Sequence, residues 1–443
     1  MSSLLSVGLD VGTTSTQLVV SRLTVENRAS SFAVPDMDIT ERRVLYKSPV
    51  YFTPLLDESH VDGAAIREIV QTEYQKAGIR REDVDTGAII ITGETSRKEN
   101  ARAVLDALAD YAGDFVVATA GPDLESVLAA KGAGAVELSR SAGKPVLHMD
   151  IGGGTSNLSL IEDGKILRTG CLNVGGRLIK FRETGEITYV SPVLSGIFPR
   201  KLGEIVTQPE LQELADCLTQ ALEMAASLRE PTALMEKLLT EETGVKWNPP
   251  SGEVVLSFSG GVADCIDREQ PWNQFGDLGP ILGQAIRSSR LCRGQYALGR
   301  ETIRATVIGA GSYSTQLSGS TVYSQNVRFP LKNLPVVEKN GGFHEGSVVV
   351  ALPGIPSPTY GQVREMAREL ARNRPPELYV CLEADMAKAL GQALAVQLPP
   401  ETRILCIDRI RVGEDSFLDV GEPVGGAFPV VVKTLVLERR QYE

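Results

Sequence analysis

Two short stretches decide the fold: Leu9-Asp10-Val11-Gly12-Thr13-Thr14-Ser15 near the start, and Met149-Asp150-Ile151-Gly152-Gly153-Gly154-Thr155-Ser156 further along. Each follows an apolar run and precedes a second run rich in apolar and β-branched residues, which predicts two strands joined by a tight turn. A shift of 140 residues places Asp10 on Asp150 and Gly12 on Gly152. The repeat indicates two related domains that face one another.

The chemistry of the paired turns predicts a polyphosphate clamp. Glycine lets the main chain approach a ligand closely, so backbone N–H groups and hydroxyls of both turns can contact phosphate oxygens. The expected phosphate contacts are Gly12, Thr13, Thr14, Gly152, Gly153, Gly154, Thr155 and Ser156. Carboxylates repel phosphates, so Asp10 and Asp150 are expected to hold Mg²⁺ or its water ligands, and both count as catalytic candidates. The sequence contains no GxxxxGK[ST] loop.

The rest of the chain alternates strand and helix patterns, which predicts an α/β layered fold. The expected helices are 61–78, 96–111, 124–138, 211–228, 231–242, 361–371 and 386–397, with further helices opening after Gly176 and after Ser259-Gly260-Gly261. The expected strands beyond the two hairpins are 88–92, 115–119, 165–172, 254–258, 347–352, 378–382, 404–407 and 428–437. The glycine pair at 175–176 fits either a helix start or a contact with a phosphate or a cation.

The composition argues against several classes of function. The chain has 443 residues, of which 42% are hydrophobic and 23% charged, so it is an ordinary globular protein. Its net charge of −11 disfavours nucleic acid as a partner. Six cysteines are spread singly, and no apolar run reaches the ~18 residues of a membrane span. We therefore predict a cytoplasmic protein with no nucleic-acid or membrane partner.

The two glycine hairpins resemble the phosphate motifs of the actin, heat-shock ATPase and sugar-kinase superfamily, and Val254 to Ala263 resembles its adenosine motif. The resemblance implies two ribonuclease-H-like (actin-like ATPase) domains that close on ATP and Mg²⁺, with Ser259, Gly260 and Gly261 along the adenosine. Residues 120–136 and 308–311 resemble its helical hinge motifs. We expect the first domain over 1–144, the second over 145–332 and an additional C-terminal α/β module over 345–443.

Within the superfamily, the whole chain resembles the ethanolamine ammonia-lyase reactivating factors. The most specific stretches are Ile90 to Asn100, Arg304 to Thr321 and Val424 to Leu435. The resemblance implies a chaperone-like ATPase that frees ethanolamine ammonia-lyase of damaged cobalamin so that intact adenosylcobalamin can enter. It leaves open whether the protein forms a homo-oligomer or associates with a bacterial microcompartment.

One further catalytic candidate is Glu94, which follows the apolar run 88–92 and precedes a predicted helix. Active groups of α/β folds lie at such strand ends, so Glu94 is expected either to orient the attacking water or to be a solvated first-turn glutamate.

Two other functions use the same clamp. A small-molecule kinase for a sugar or polyol would need a carboxylate base at the acceptor hydroxyl, and acceptor-dependent ATP turnover would reveal it. An actin-like filament or scaffold ATPase would form polymers that sediment in the presence of ATP.

Overall fold

The computed structural model describes residues 2–12, 15–28, 37–57, 60–92, 100, 104, 108, 116–119, 122–240, 247–313, 315–318, 321–338, 347–372, 375–410, 412, 416–423 and 427–434. The strands are β1 (Ser2–Val11), β2 (Ser15–Asn27), β3 (Met37–Lys47), β4 (Tyr51–Phe52), β5 (Thr86–Ile91), β6 (Val116–Thr119), β7 (Val146–Ile151), β8 (Ser156–Glu162), β9 (Lys165–Leu172), β10 (Ile179–Phe181), β11 (Ile187–Val190), β12 (Val255–Ser259), β13 (Tyr296–Leu298), β14 (Thr315–Leu317), β15 (Tyr323–Gln325), β16 (Leu331–Glu338), β17 (Val349–Leu352), β18 (Glu377–Leu382), β19 (Arg403–Ile407), β20 (Ser416–Val420) and β21 (Pro429–Thr434). The helices are α1 (Gly63–Ala77), α2 (Pro122–Gly132), α3 (Ala135–Ala142), α4 (Gln208–Ala225), α5 (Ala233–Leu238), α6 (Gly279–Ser288), α7 (Ala305–Tyr313), α8 (Tyr360–Leu370) and α9 (Ala387–Gln397).

The first two large sheets have the same architecture. The first has the order β3-β2-β1-β5-β6, in which β1 to β3 are antiparallel and β5 and β6 run parallel to β1. The second has the order β9-β8-β7-β12-β13, with the same change from antiparallel to parallel pairing. Asp10 pairs with Gln17 in the first hairpin, and Asp150 pairs with Asn157 in the second. The duplicated hairpins and their 140-residue offset are therefore confirmed.

The third sheet contains the C-terminal part of the chain. Its strands β16 to β19 are parallel, and β20, β21 and β14 extend it on one side while β15 closes the other. Helices α8 and α9 bury Val363, Leu390 and Leu394 in one core with this sheet. The expected α/β architecture is confirmed: two sheets of the same topology are followed by an additional C-terminal α/β unit.

Local signals explain why some elements begin and end where predicted. Helix α1 starts at Asp62, whose carboxylate accepts hydrogen bonds from the N–H groups of Ala64 and Ala65. It ends at Gly78, which adopts a left-handed conformation with φ of 66°. These signals lie within the segment itself, so the sequence alone predicts this helix.

Three helix predictions are wrong in part. The single helix expected over 124–138 is two helices, α2 and α3, because Gly134 has φ of 80°. The helix expected after Gly176 is the hairpin of β10 and β11. After Gly261 the chain forms only a three-residue 3-10 turn, Ala263–Cys265, before α6. The helix expected over 96–111 lies almost entirely outside the described residues.

Helices α2 and α7 cross between the first and the second sheet. Helix α7 packs on strands of the first sheet, whereas α2 packs on β8 and β9 of the second, and the two helices pack on each other. A Cβ atom at Gly309 would lie 2.0 Å from the carbonyl oxygen of Leu128, and one at Gly132 would lie 1.9 Å from that of Ala305. Glycine at these positions therefore lets the two backbones touch where the halves are joined.

We expect Gly309→Ala to lower the free energy of unfolding by about 1–3 kcal/mol, because the new methyl group meets backbone that cannot rotate away. Guanidinium denaturation measures the effect. Gly361→Ala is the matched control, since a Cβ there meets nothing within 4 Å and alanine favours the helix. Equal denaturation midpoints for Gly309→Ala and the wild-type chain would show that the two helices can move apart enough to fit a methyl group.

Candidate active site

The two hairpin turns and the turn after β12 open into one cavity of about 370 Å³. The predicted site residues that line it are Asp10, Gly12, Asp150, Gly152, Gly153, Gly154, Thr155, Gly260 and Gly261. Thr13, Thr14 and Glu94 lie outside the described residues. Residues from separate sheets thus share one crevice, as the facing turns predict.

Both hairpin turns are closed by the same backbone hydrogen bond. The N–H of Gly12 donates to the carbonyl of Ser15, and the N–H of Gly152 donates to that of Thr155, each at 2.9 Å. In the described part of the chain, the N–H groups of Gly153 and Gly154 meet no acceptor. These two donors are free to bind an anion in the cavity.

Close packing fixes the second turn from behind. A Cβ atom at Gly175 would lie 2.3 Å from the carbonyl oxygen of Gly153, and one at Gly260 would lie 2.2 Å from that of Ile151. The N–H groups of Gly176 and Arg177 donate to the carbonyls of Gly152 and Gly153. The glycine pair at 175–176 therefore supports the second hairpin turn and does not start a helix.

Two predicted contacts lie behind the cavity wall. Ser156 is fully buried, and its hydroxyl donates to the carbonyl of Val174 at 2.7 Å. The hydroxyl of Ser259 donates to the carboxylate of Asp150. Both side chains hold the turns and the carboxylate in place.

The two aspartates are almost completely buried, at 8% exposure for Asp10 and 6% for Asp150. Burial raises the pKa of Asp10 to about 7, with a further contribution from the charge of Asp150, although a hydrogen bond from Thr92 opposes it. Burial likewise raises the pKa of Asp150 to about 6, against hydrogen bonds from Ser259 and Thr306. Two desolvated carboxylates that repel each other favour a cation beside them.

Two amide oxygens, which sequence reasoning missed, complete this oxygen-rich wall. Gln17 and Asn157 line the cavity at 2% exposure each, and among the described residues Gln17 Oε1 and Asn157 Oδ1 have no hydrogen-bond partner. Buried acceptors of this kind call for a water that donates to them or a cation that they coordinate. The 140-residue offset pairs Gln17 with Asn157 and was the signal that could have found them.

The donor set fits Mg²⁺ in this cavity. Mg²⁺ usually binds through one or two carboxylates together with waters and phosphate oxygens, and the orphaned amide oxygens are placed to accept from such waters. Within the described ranges there is no group of three His, Cys, Asp or Glu side chains suited to a metal. Asp10 and Asp150 are the residues that would hold it.

The cavity lining is strongly acidic overall. Besides the two aspartates it includes Glu125, Asp264 and Asp277, and its one cation among the described residues is Arg177. Arg177 Nε donates to Asp277 at 3.0 Å, and the guanidinium lies 5.4 Å from the ring of Phe52, which comes from the first sheet. Arg177 thus joins the two halves at the cavity, and a polyphosphate there needs a divalent cation with it.

His148 belongs to a buried chain of hydrogen bonds that ends at Asp150. Its Nε2 lies 2.9 Å from Ser259 Oγ, and its Nδ1 lies 3.1 Å from Ser257 Oγ. Burial lowers the pKa of His148 to about 3, so the ring is neutral and carries one N–H. Since the Ser259 hydroxyl donates to Asp150, Nε2–H donates to Ser259 and Nδ1 accepts from Ser257.

We expect Ser259→Ala to lower the free energy of unfolding by about 1–3 kcal/mol, because it leaves the buried His148 N–H without an acceptor and takes a donor from Asp150. Guanidinium denaturation measures the change. The matched control is Ser141→Ala, an exposed serine that bonds only to carbonyls of its own helix. A loss no larger than that of the control would contradict the proposed chain.

The family model and two curated relatives point to the same family. The family model described as "Ethanolamine utilisation protein EutA" matches residues 2–345 and 340–438. The chain is 36% identical over 468 residues to "Ethanolamine ammonia-lyase reactivase EutA" of Salmonella typhimurium and 37% identical over 473 residues to the protein of that name from Escherichia coli, covering 98% of each partner in both alignments. Among solved structures, an Aquifex aeolicus PPX-GPPA enzyme has a TM-score of 0.42 and 12% identity, covering 70% of this chain and 99% of that one.

Proposed function

This chain belongs to the family of the ethanolamine utilisation protein EutA, and on that premise we propose that it is an ATP-dependent reactivating factor for ethanolamine ammonia-lyase. It releases damaged cobalamin from the lyase so that intact adenosylcobalamin can bind. The observation that carries the nucleotide part of the proposal is the pair of matched hairpin turns opening into one cavity. The partner is proposed from the names of the relatives.

ATP occupies the cavity with its phosphates between the turns. The N–H groups of Gly153 and Gly154 bind phosphate oxygens, as do Gly12, Thr13, Thr14, Gly152 and Thr155. Gly260 and Gly261 lie along the adenosine, beside the apolar lining residues Val262 and Ile303. Mg²⁺, when bound by Asp10 and Asp150, supplies the positive charge that lets a triphosphate enter this acidic cavity.

Glu94 orients the water that attacks the terminal phosphate. Glu125 is a second carboxylate suited to that role, because helix α2 places it in the cavity lining. A carboxylate positions such a water by accepting its proton or a hydrogen bond from it.

ATP binding and hydrolysis switch the chain between two states that differ in affinity for the lyase. A change from 1:99 to 99:1 requires about 5.5 kcal/mol of preference for one state. Contacts from both halves to one Mg²⁺-triphosphate contribute this preference, because they exist only when the halves are closed on it.

The singly spread cysteines, with no disulfide framework, favour a reducing cytoplasm as the protein's location. No helix within the described ranges is long and apolar enough to cross a bilayer.

We expect Asp10→Asn to abolish ATP turnover while leaving the fold intact. The variant removes one of the two charges that would hold Mg²⁺, and it also removes a carboxylate whose burial raises its pKa to about 7. At pH 8 this carboxylate is charged although it is buried, which destabilises the folded wild-type chain. The melting temperature of the variant should therefore be no lower than that of the wild type. Phosphate release and thermal denaturation provide the two measurements.

Asp163→Asn, in the exposed turn between β8 and β9, is the control with the same chemical change. Unaltered hydrolysis in Asp10→Asn would refute the site.

We expect the purified chain, with ATP, Mg²⁺ and free adenosylcobalamin, to restore activity to lyase that has been inactivated by hydroxocobalamin or cyanocobalamin. Recovery should need no second subunit and should be lost when Asp10→Asn replaces the wild-type chain. Ethanolamine deamination is the readout. No recovery with a chain that hydrolyses ATP would reject the reactivation while keeping the ATPase, and turnover that depends on an added sugar or polyol would favour the kinase instead.

A further inference from the structure

A second cavity, of about 660 Å³, lies where the last turns of α2 and α3 meet strand β9 and the end of α7. Four cationic side chains line it: Arg42, Lys131, Arg140 and Arg168. Among the described residues of its lining, Glu137 alone is acidic. A surplus of about three positive charges is unusual in a chain whose net charge is −11, and it points to a negatively charged ligand.

Two of the arginines are held in place by neutral groups. Arg42 donates to the carbonyl oxygens of Ser312 and Ile39, at 3.0 and 3.2 Å. Arg168 donates to the carbonyl oxygen of Asn248 at 2.9 Å. Backbone carbonyls fix the position of a guanidinium but leave its full charge uncompensated.

The other two cations are also only weakly compensated. Arg140 approaches Glu137 no closer than 3.9 Å, and it lies over Gly164, where a Cβ atom would come within 2.2 Å of Arg140 Nε. In the part of the chain that the structure describes, Lys131 makes no hydrogen bond or ion pair. Its ammonium lies 5.9 Å from the centre of the Tyr313 ring, on which Arg42 also packs at 4.6 Å.

Helix dipoles explain only part of this arrangement. Lys131 and Arg140 lie in the last turns of their helices, where cations are favoured. Arg42 and Arg168 come from strands β3 and β9, so the dipoles do not account for them. Burial lowers the pKa of Lys131, and the charge of Arg42 lowers it further, although the charge of Glu137 opposes both, so the cluster is held together against repulsion.

We propose that this cavity binds a phosphate-bearing small molecule. Arginine side chains present paired N–H donors that match phosphate oxygens, and the pre-positioned guanidinium groups of Arg42 and Arg168 can contact a multiply charged group together with Lys131. The volume falls within the range of small-molecule pockets. Val136 and Ile166 supply an apolar part of the lining for the rest of the molecule.

Pyrophosphate in metal-free buffer with EDTA is the probe that separates this cavity from the ATP site. Without a divalent cation the acidic ATP cavity repels the anion, whereas the basic cavity attracts it. Isothermal titration calorimetry of the full chain should give one bound pyrophosphate, with an affinity that falls as salt is added. Lys131→Gln and Arg168→Gln should each weaken binding by about tenfold or more.

Lys388→Gln is the matched control, because Lys388 is an exposed lysine on α9 in the C-terminal module, and it should bind pyrophosphate as the wild type does. Lys131→Gln should not lower the melting temperature, because it relieves repulsion, and Arg168→Gln provides an independent variant. Absence of binding, or binding that neither variant weakens, would overturn the proposal. Binding of a polyglutamate peptide but not pyrophosphate would replace the small molecule with an acidic protein segment. Neither result depends on ATP hydrolysis.

Discussion

The structure depends on keeping two buried carboxylates of the same sign, Asp10 and Asp150, in one cavity. Each is desolvated, and this burial raises the pKa of each. A folded chain retains such an arrangement only where the surrounding residues hold it, and here hydroxyl donors do so, Thr92 for Asp10 and Ser259 with Thr306 for Asp150. The groups that make the cavity costly to form are those that would make it bind a metal and a triphosphate.

The predictable parts of the molecule are those determined within a short segment. The two hairpins can be predicted because the apolar runs and the glycine turn of each are adjacent in the sequence. Helix α1 can be predicted because its own cap residues, Asp62 and Gly78, bound it. The sequence leaves two roles open for the glycine pair at 175–176, because what requires glycine at 175 is a contact with Gly153, more than twenty residues earlier in the chain. An Ala-rich pattern likewise concealed the break at Gly134, since alanine favours a helix on both sides of it.

The site shows the same limit. Asp10, Asp150 and their glycines could be found because the repeat marks them twice. Gln17 and Asn157 are marked by the same offset, yet their importance follows only from orphaned oxygens that the fold buries. His148 has no partner near it in the sequence, and the structure supplies two, Ser257 and Ser259, from the neighbouring strand β12. Long-range parallel pairing of β7 with β12 is what turns an isolated histidine into a support for a carboxylate.

Helix α2 connects the two regions of opposite charge. It carries Glu125 into the acidic cavity and, six residues later, Lys131 into the basic one. Between them its backbone touches α7 at Leu128, with Gly309 as the contact. Because the helices meet backbone to backbone, little side-chain rearrangement can absorb a movement of α2 relative to α7. A net charge of −11 for the whole chain therefore coexists with an acidic cavity and a basic cavity that share the lining helix α2.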